Sequence, residues 1–444
     1  MAPDAYATAR PQRRRELDAM GMLVVLGLVF FHTAQIFYYG DFSVKNAPPS
    51  MEQVNQIVAT VFVAFAGLWG MPLMFLIAGS AIWYSLRKRT VGDFVLERFK
   101  RLFIPFVTGL LVLVPPVVYY GLKNHDPTYR DSYVQFLPRY FDVRFTFDFP
   151  LFIKGAPPER FFQTGHLYFL IYLFAFTLLL LPLWHHLRRP AGRRLVERLA
   201  VFCTRPWALF LLALPIAAIE AALGTEYTGG WNRYAYVPFI VYGFLFAADG
   251  RFGGAFRRQW KSALLLGAFA LLIYFAGAYV LGGVVQFDAQ TDYSLGSVLF
   301  RLLKGITSWL WVMAIMGLAG RAGQTGVRHK RRGPESGREA PPQRLDLPGK
   351  PSFMDRLARY AGEAQLPFYV LHMTPMVVIG FYVVQWDVSA AVKYLVISLS
   401  SLVVTLALYD VGVRRTGLTR FLFGMRPKQK APEGPASEGG VYAE

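Results

Sequence analysis

A single histidine, His32, lies deep within a largely apolar stretch, Leu17–Tyr39, that is long enough to cross a membrane as a helix. Counting about 1.5 Å per residue from Gly21 puts its imidazole near the middle of a hydrocarbon core roughly 30 Å thick. An ionisable side chain at that depth is costly and indicates a functional site, although a histidine that only bonds a neighbouring helix gives the same pattern. Imidazole can act as a general base or as a nucleophile that carries a transferred group, and both roles stay open.

Three further ionisable residues fall in or beside apolar runs. His166 opens the fourth predicted helix, where it could meet an acceptor outside the membrane or anchor the helix at the interface. His372 lies about 9 Å into the ninth predicted helix, a position that suits an interhelical hydrogen bond or a chemical role. Glu220 needs a partner in its apolar surroundings, and Arg301 and Lys304 are the candidates.

Two arginines, Arg98 and Arg101, form an R-x-x-R pair beside Lys100. Residues three positions apart share one face of a helix, so the two guanidiniums can converge on a phosphate group. Basic clusters just inside a membrane also contact anionic lipid headgroups. The sequence therefore indicates an anion site whose ligand is a phosphorylated substrate or a lipid.

The elements that must position these residues are membrane helices. Of the 444 residues, 54% are hydrophobic and 17% charged, and recurrent apolar runs indicate an all-α polytopic membrane protein with about ten transmembrane helices. Basic residues follow the runs on alternate sides, which places both termini in the cytoplasm by the positive-inside rule. The predicted helices span 20–39, 57–85, 102–121, 166–184, 207–223, 234–248, 262–286, 295–319, 365–386 and 391–411.

The remaining composition argues against several other kinds of protein. The net charge of +19 is distributed between the apolar runs, which does not suit a nucleic-acid partner. The lone Cys203 excludes an intrachain disulfide and a multi-cysteine metal site, and no metal-ligand spacing, phosphate-binding loop or dinucleotide fingerprint is visible. The first apolar run is too long for a cleavable signal. The segment IAGSA in the second predicted helix is typical of a small-residue contact between helices.

Composition also divides the chain. A basic cytoplasmic N-terminus (1–16) precedes a membrane core with helices 1–8 (17–319). A basic linker rich in Pro and Gly (320–352) is expected to be disordered because it has little to bury. Helices 9 and 10 of the same core (353–411) and a cytoplasmic tail (412–444) complete the chain.

Six motifs occur in a fixed order between about residue 17 and residue 411: LDAM…VFFH, MPLMFLIAGSAIWYSLRKR, RFKRLFIP, GHLYFLIYL, SWLWVMAIMGL and LPFYVLH. Together they resemble the acyltransferase 3 family of integral membrane acyltransferases, and within it the branch of periplasmic-glucan succinyltransferases (glucans biosynthesis protein C). The resemblance implies transfer of an acetyl, succinyl or similar group from cytoplasmic acyl-CoA to an acceptor beyond the inner membrane, usually a glycan hydroxyl. Acyl-CoA would be a donor substrate, and no tightly bound cofactor or metal is implied.

The resemblance also implies roles for the histidine of the first helix and for the arginine pair before the third helix. His32 matches the essential histidine of the family, and Arg98 with Arg101 matches the R-x-x-R pair that contacts the acyl donor. One position departs from the family's pattern. The family usually carries Arg eleven residues before the histidine, where this chain has Gly21. Arg15 could reach back along the inner face in its place; otherwise the donor site is weakened, the donor differs or the activity is altered.

Further motifs extend the candidate site. His372 and Tyr369 match the Y-x-x-H motif of the ninth helix, and His166 matches the H-x-x-F-L motif of this branch. The aromatic external segment 122–165 and Trp231 are candidates for a surface on which an acceptor sugar stacks, although aromatic rings also suit the membrane interface.

Two other functions are compatible with these residues. A transporter or flippase could use His32, Glu220 and His372 as a proton relay or a substrate path; it would move its substrate without covalent change and would not bind coenzyme A. A catalytically inactive member of the family is the third possibility, because of Gly21. The acyl group, the acceptor and the oligomeric state are left open by these patterns.

Overall fold

The computed structural model describes residues 5–46, 53–226, 228–280, 293–331 and 353–427. The chain is mostly helical, at 78%. In the described part, β1 (Val143–Phe145) pairs with β2 (Ile153–Gly155) in a two-stranded antiparallel sheet. The helices are α1 (Ala5–Gln35), α2 (Gln53–Leu86), α3 (Val91–Arg98), α4 (Ile104–Val112), α5 (Val114–His125), α6 (Tyr133–Tyr140), α7 (Tyr168–Leu179), α8 (Leu181–Arg188), α9 (Pro190–Phe202), α10 (Ala213–Leu223), α11 (Tyr236–Ala248), α12 (Gly250–Val280), α13 (Leu295–Arg331), α14 (Phe353–Leu371), α15 (Met373–Val383), α16 (Ala390–Leu408) and α17 (Gly417–Leu422).

Many of these helices are long and apolar enough to cross a membrane. Within the described residues there are five such stretches, or seven if each of two bent helix pairs is one span. Three shorter apolar helices, Ala19–Gln35, Ala208–Leu223 and Arg233–Ala248, coincide with the first, fifth and sixth predicted helices. Every predicted helix thus has a helical counterpart, while the number of ten spans and the cytoplasmic placement of both termini stay predictions.

Several helix boundaries differ from those expected: α12 begins at Gly250 and α14 at Phe353, both earlier than predicted, and two helix ends also differ. α1 ends at Gln35 rather than at Tyr39, so His32 lies in its last turn and not at the centre of a longer helix. The helix stops there because the chain tightens into three-residue turns, in which the amides of the next two residues bond the carbonyls of Thr33 and Ala34. α13 continues to Arg331, into the range expected to be linker. Residues 332–352 of that linker and 428–444 of the tail lie outside the described residues.

Both bent pairs contain a proline close to the bend. The chain bends by 52° between α14 and α15, where Pro375 has no N–H for the carbonyl of Leu371. It bends by 54° between α7 and α8, where Pro182 lies in the first turn of α8. The bend between α14 and α15 positions His372, one of the predicted site residues.

The tightest helix crossing joins α2 to α11. A Cβ atom on Gly79 would collide with the carbonyl of Ile240, and one on Gly243 would collide with the carbonyl of Leu76. Ser80 donates its hydroxyl to the carbonyl of Gly243 over 2.9 Å. The small-residue contact predicted from IAGSA is confirmed, and the main apolar core packs around it.

Candidate functional site

Three histidines that are distant in sequence converge in the structure. The ring centroid of His372 lies 5.3 Å from that of His32 and 5.1 Å from that of His166. They are contributed by the last turn of α1, by the bend between α14 and α15, and by the short 3₁₀ turn Gly165–Leu167 that precedes α7. His166 and His372 are buried, whereas His32 is partly exposed.

Hydrogen bonds to carbonyls fix the tautomers of the two buried rings. A carbonyl only accepts, so His372 donates Nδ1–H to the carbonyl of Tyr369 at 2.7 Å, and His166 donates Nε2–H to the carbonyl of Val370 at 3.2 Å. The neutral rings therefore keep a lone pair on Nε2 of His372 and on Nδ1 of His166. The Nε2 atom of His372 is buried without a hydrogen-bond partner among the described residues. A buried lone pair beside two other imidazoles is available to accept a hydrogen bond.

Gln35 sets the tautomer of His32 from the same helix. The Nδ1 atom of His32 lies 2.7 Å from the side-chain oxygen of Gln35, three residues on. With that oxygen as acceptor, Nδ1 carries the proton and Nε2 carries the free lone pair. The i, i+3 spacing of the two residues in the sequence was a usable signal for this bond, but Gln35 was not among the predicted site residues.

Aromatic side chains enclose the cluster. Phe31 and Phe42 lie against His32 with centroids at 5.0 and 6.1 Å, and Phe368 lies nearly parallel to His372 at 6.3 Å. These rings offer no strong hydrogen-bond partner, so they leave the lone pairs of the imidazoles available. Tyr369, a predicted candidate, instead donates its hydroxyl to the carbonyl of His166. Tyr369 therefore holds the turn that carries His166.

A lysine that sequence reasoning missed fixes the end of α1. The ammonium of Lys45 donates to the carbonyls of Gly40 at 2.8 Å, Gln35 at 3.4 Å and Tyr38. A cation on the last carbonyls of a helix is favourable, both as a cap and against the helix dipole. The backbone amide of Lys45 also donates to the side chain of Asn124 at 2.7 Å, which fastens the loop to α5. Lys45 thus steadies the turn from which His32 projects, and no local motif marks it.

The predicted arginine pair belongs to a larger charged group. Glu97 pairs with Arg89 at 3.1 Å and with Arg101 at 3.7 Å, and it accepts the hydroxyl of Ser85 at 2.8 Å. Arg98 stacks its guanidinium over the ring of Phe94 at 4.9 Å. Arg98 and Arg101 therefore lie in one charged cluster with Arg89 and Glu97, which sequence reasoning did not single out. Binding of a phosphate by the arginine pair stays a prediction.

The arginine cluster and the histidine cluster are joined by one helical run. The hydroxyl of Thr374, two residues after His372, donates to the carbonyl of Leu113 at 2.8 Å. From Arg101 to Leu113 the chain rises about 18 Å along the helix. A ligand that touches both clusters must be extended, with its anionic groups at one end.

The structure describes the surroundings of Gly21 but not the side chain of Arg15. The space beside Gly21 is filled: a Cβ atom there would lie 2.5 Å from the amide nitrogen of Gln365. An arginine at that position would require Gln365 to move. The side chain of Arg15 lies outside the described residues.

Glu220 and Trp231 belong to a separate structural cluster. Glu220 is fully buried, lies 3.6 Å from the ammonium of Lys304, and accepts the backbone N–H of Asn232 at 2.6 Å. Lys304, one of its two predicted partners, also lies over the ring of Trp231 at 4.8 Å. Trp231 is only 1% exposed and donates its indole N–H to the carbonyl of Gly67. The expected role of Trp231 as an open stacking surface is therefore wrong, because its ring is buried.

No group of three or more His, Cys, Asp or Glu residues in the described part of the chain could hold a metal ion.

Comparison with known proteins gives one match. A family model described as an acyltransferase domain matches residues 14–410, nearly the whole chain. No curated protein and no solved structure matches the chain.

Proposed function

The chain belongs to the acyltransferase 3 family, and from that premise we propose that it is a membrane O-acyltransferase that moves an acetyl, succinyl or similar group from cytoplasmic acyl-CoA to a hydroxyl of an extracytoplasmic glycan or related acceptor. The observation that carries this proposal is the partly exposed imidazole of His32 in a cluster with His166 and His372. The resemblance to the periplasmic-glucan succinyltransferases supports the inner membrane as its location.

His32 acts as the general base. Its Nδ1–H is bonded to Gln35, so the lone pair on Nε2 takes the proton of the acceptor hydroxyl as the oxygen attacks the thioester carbonyl. The tetrahedral intermediate then collapses, the carbon–sulfur bond breaks, and the proton on Nε2 passes to the departing thiolate. The products are the acyl ester and free coenzyme A, and His32 returns to its neutral form.

The arginine cluster holds the donor. Guanidiniums bind phosphate in a two-pronged manner, and coenzyme A carries its phosphates at the end opposite the thioester. The length of helix between Arg101 and Leu113 suits such an extended donor, with the phosphates at Arg98 and Arg101 and the thioester near His32. Exposed rings of Phe145 and Phe147, at 90% and 103% exposure, are candidates for acceptor stacking within segment 122–165.

The test is acyl-CoA turnover in purified protein reconstituted in lipid nanodiscs. His32→Gln should lower coenzyme A release about 10²- to 10⁴-fold, the usual contribution of a general base. His185→Gln, which changes an exposed histidine elsewhere, should leave the rate unchanged. Full activity of His32→Gln, or transport of an unmodified substrate without thiol release, would reject the proposal.

A further inference from the structure

The arginine cluster contains a fourth member that comes from the far end of the chain. Arg89, Arg98 and Arg101 are close enough for their charges to repel one another, and the charge of Arg426 acts on Arg101 in the same way. Among the described residues, Glu97 is the only carboxylate that forms an ion pair with any of the four. Counted over the described part of the chain, three positive charges are therefore left uncompensated in one place.

The fold builds the turn that carries Arg426. The buried guanidinium of Arg420 donates to the carbonyl of Arg426 through Nε at 3.1 Å and through Nη2 at 2.7 Å. Gly424 adopts a φ of +69°, and a Cβ atom on it would lie 2.9 Å from the carbonyl of Arg101 and 2.8 Å from the ring of Pro105. Glycine is thus needed both for the backbone conformation and for the close approach. The C-terminal turn packs directly on the helical segment that bears Arg101.

A cluster of four arginines and one carboxylate is electrostatically unfavourable unless a bound anion neutralises part of its positive charge. Like charges held together destabilise the folded state, and a bound anion removes that repulsion. Arg426 is exposed and free to reach a ligand, and Nε of Arg98 is buried without a hydrogen-bond partner in the described part of the chain. A single phosphate cannot neutralise three charges.

We propose that Arg426 completes a polyphosphate site with Arg89, Arg98 and Arg101, and that the site takes a soluble ligand with at least two phosphate groups. The identification of that ligand as the acyl-CoA donor rests on the proposed function. The site itself does not, because binding can be measured without turnover.

Inorganic pyrophosphate and coenzyme A are the probes, titrated calorimetrically into protein in nanodiscs of zwitterionic lipid. Arg426→Gln should raise the Kd of both about tenfold or more, as expected for loss of a charge-assisted hydrogen bond, and should weaken its dependence on salt. Gly424→Ala should weaken binding by displacing the turn. Arg251→Gln removes the same charge from an exposed ion pair with Asp249 and is the matched control; it should bind both probes as the unmodified protein does.

The possible outcomes distinguish the proposed polyphosphate site from the proposed acyl transfer. Pyrophosphate binding that depends on Arg426 in a protein without acyl transfer would support the site and reject the proposed function. Acyl transfer with unchanged Kd values in Arg426→Gln would reject the site and leave the function. Stabilisation by phosphatidylglycerol nanodiscs without binding of pyrophosphate or coenzyme A would assign the cluster to lipid headgroups and overturn the proposal.

Discussion

The imidazoles of His32 and His372 face each other with their centroids 5.3 Å apart and their planes inclined by 32°. One ring is partly exposed on α1, and the other is buried at the proline-induced bend between α14 and α15. A protonated His32 would lie beside the neutral ring of His372, whose buried Nε2 lone pair has no hydrogen-bond partner among the described residues. The bend thus has a chemical consequence, because it brings a buried lone pair beside the exposed imidazole.

His372→Phe tests this relationship. Phenylalanine preserves a ring beside Phe368 but removes the lone pair on Nε2, so the kcat for coenzyme A release should fall at least about tenfold while the donor KM stays unchanged. His372→Gln supplies an acceptor oxygen and should recover part of the rate. Equal kcat values for His372→Phe and the unmodified protein would mean that His372 only packs.

Lys304 should be important for stability rather than for chemistry. Lys304→Met removes the ammonium from fully buried Glu220 and should lower the free energy of unfolding by about 3–5 kcal/mol. Glu220→Leu in addition should recover most of that loss in the free energy of unfolding, because the carboxylate that lost its ammonium partner is then also removed. Denaturant unfolding in detergent measures the free energy of unfolding of the single and the double variant.

The control for Lys304 is a lysine in an exposed pair. Lys154 lies 2.8 Å from Asp148 with its side chain 56% exposed, and Lys154→Met should cost less than about 1 kcal/mol. If Lys304→Met were as mild as Lys154→Met, the buried pair would not stabilise the fold.

Helix positions could be predicted from the sequence because apolar runs in a membrane must satisfy their backbone hydrogen bonds internally. The end of α1 could not be predicted, since Lys45 reaches back from a loop to the carbonyl of Gln35, the last helical residue, and to carbonyls of the turn that follows. The two bends were also missed, although Pro182 and Pro375 are visible in the sequence. A proline in an apolar run marks a kink only where the surrounding packing accepts one.

The candidate site, like the fold, could be predicted only in part from the sequence. His32, His166 and His372 were recognisable one by one, because ionisable residues in apolar runs are rare. Their convergence in one cluster could not be recognised, because spacing along a chain does not specify which distant helices pack together. Trp231 was misread for the same reason: only the tertiary structure shows that its ring is buried near Lys304.

Two glycines of α2 provide a matched test of the crossing with α11. Gly79→Ala should lower the free energy of unfolding by about 1–3 kcal/mol, because its Cβ collides with the carbonyl of Ile240 and the helices must separate. Gly70→Ala meets no atom within 4 Å and should be neutral or slightly stabilising, since alanine favours helix. Thermal unfolding of the two variants compares them directly, and equal stabilities would contradict the tight crossing.

Asp148 should make the hairpin region sensitive to acid. Its partial burial opposes ionisation, but hydrogen bonds from Lys154 and Arg233 outweigh that effect and hold its pKa below the ordinary 3.8. A carboxyl whose pKa is lower in the folded than in the unfolded state adds stability above pH 3.8, and that stability is lost as the pH falls through the folded-state value. The melting temperature should therefore drop more steeply on acidification below pH 3.8 in the unmodified protein than in Asp148→Asn. Asp387→Asn, at an exposed loop residue, should retain the full acid sensitivity. The same steepness in Asp148→Asn as in the unmodified protein would show that the ion pairs of Asp148 do not stabilise the fold.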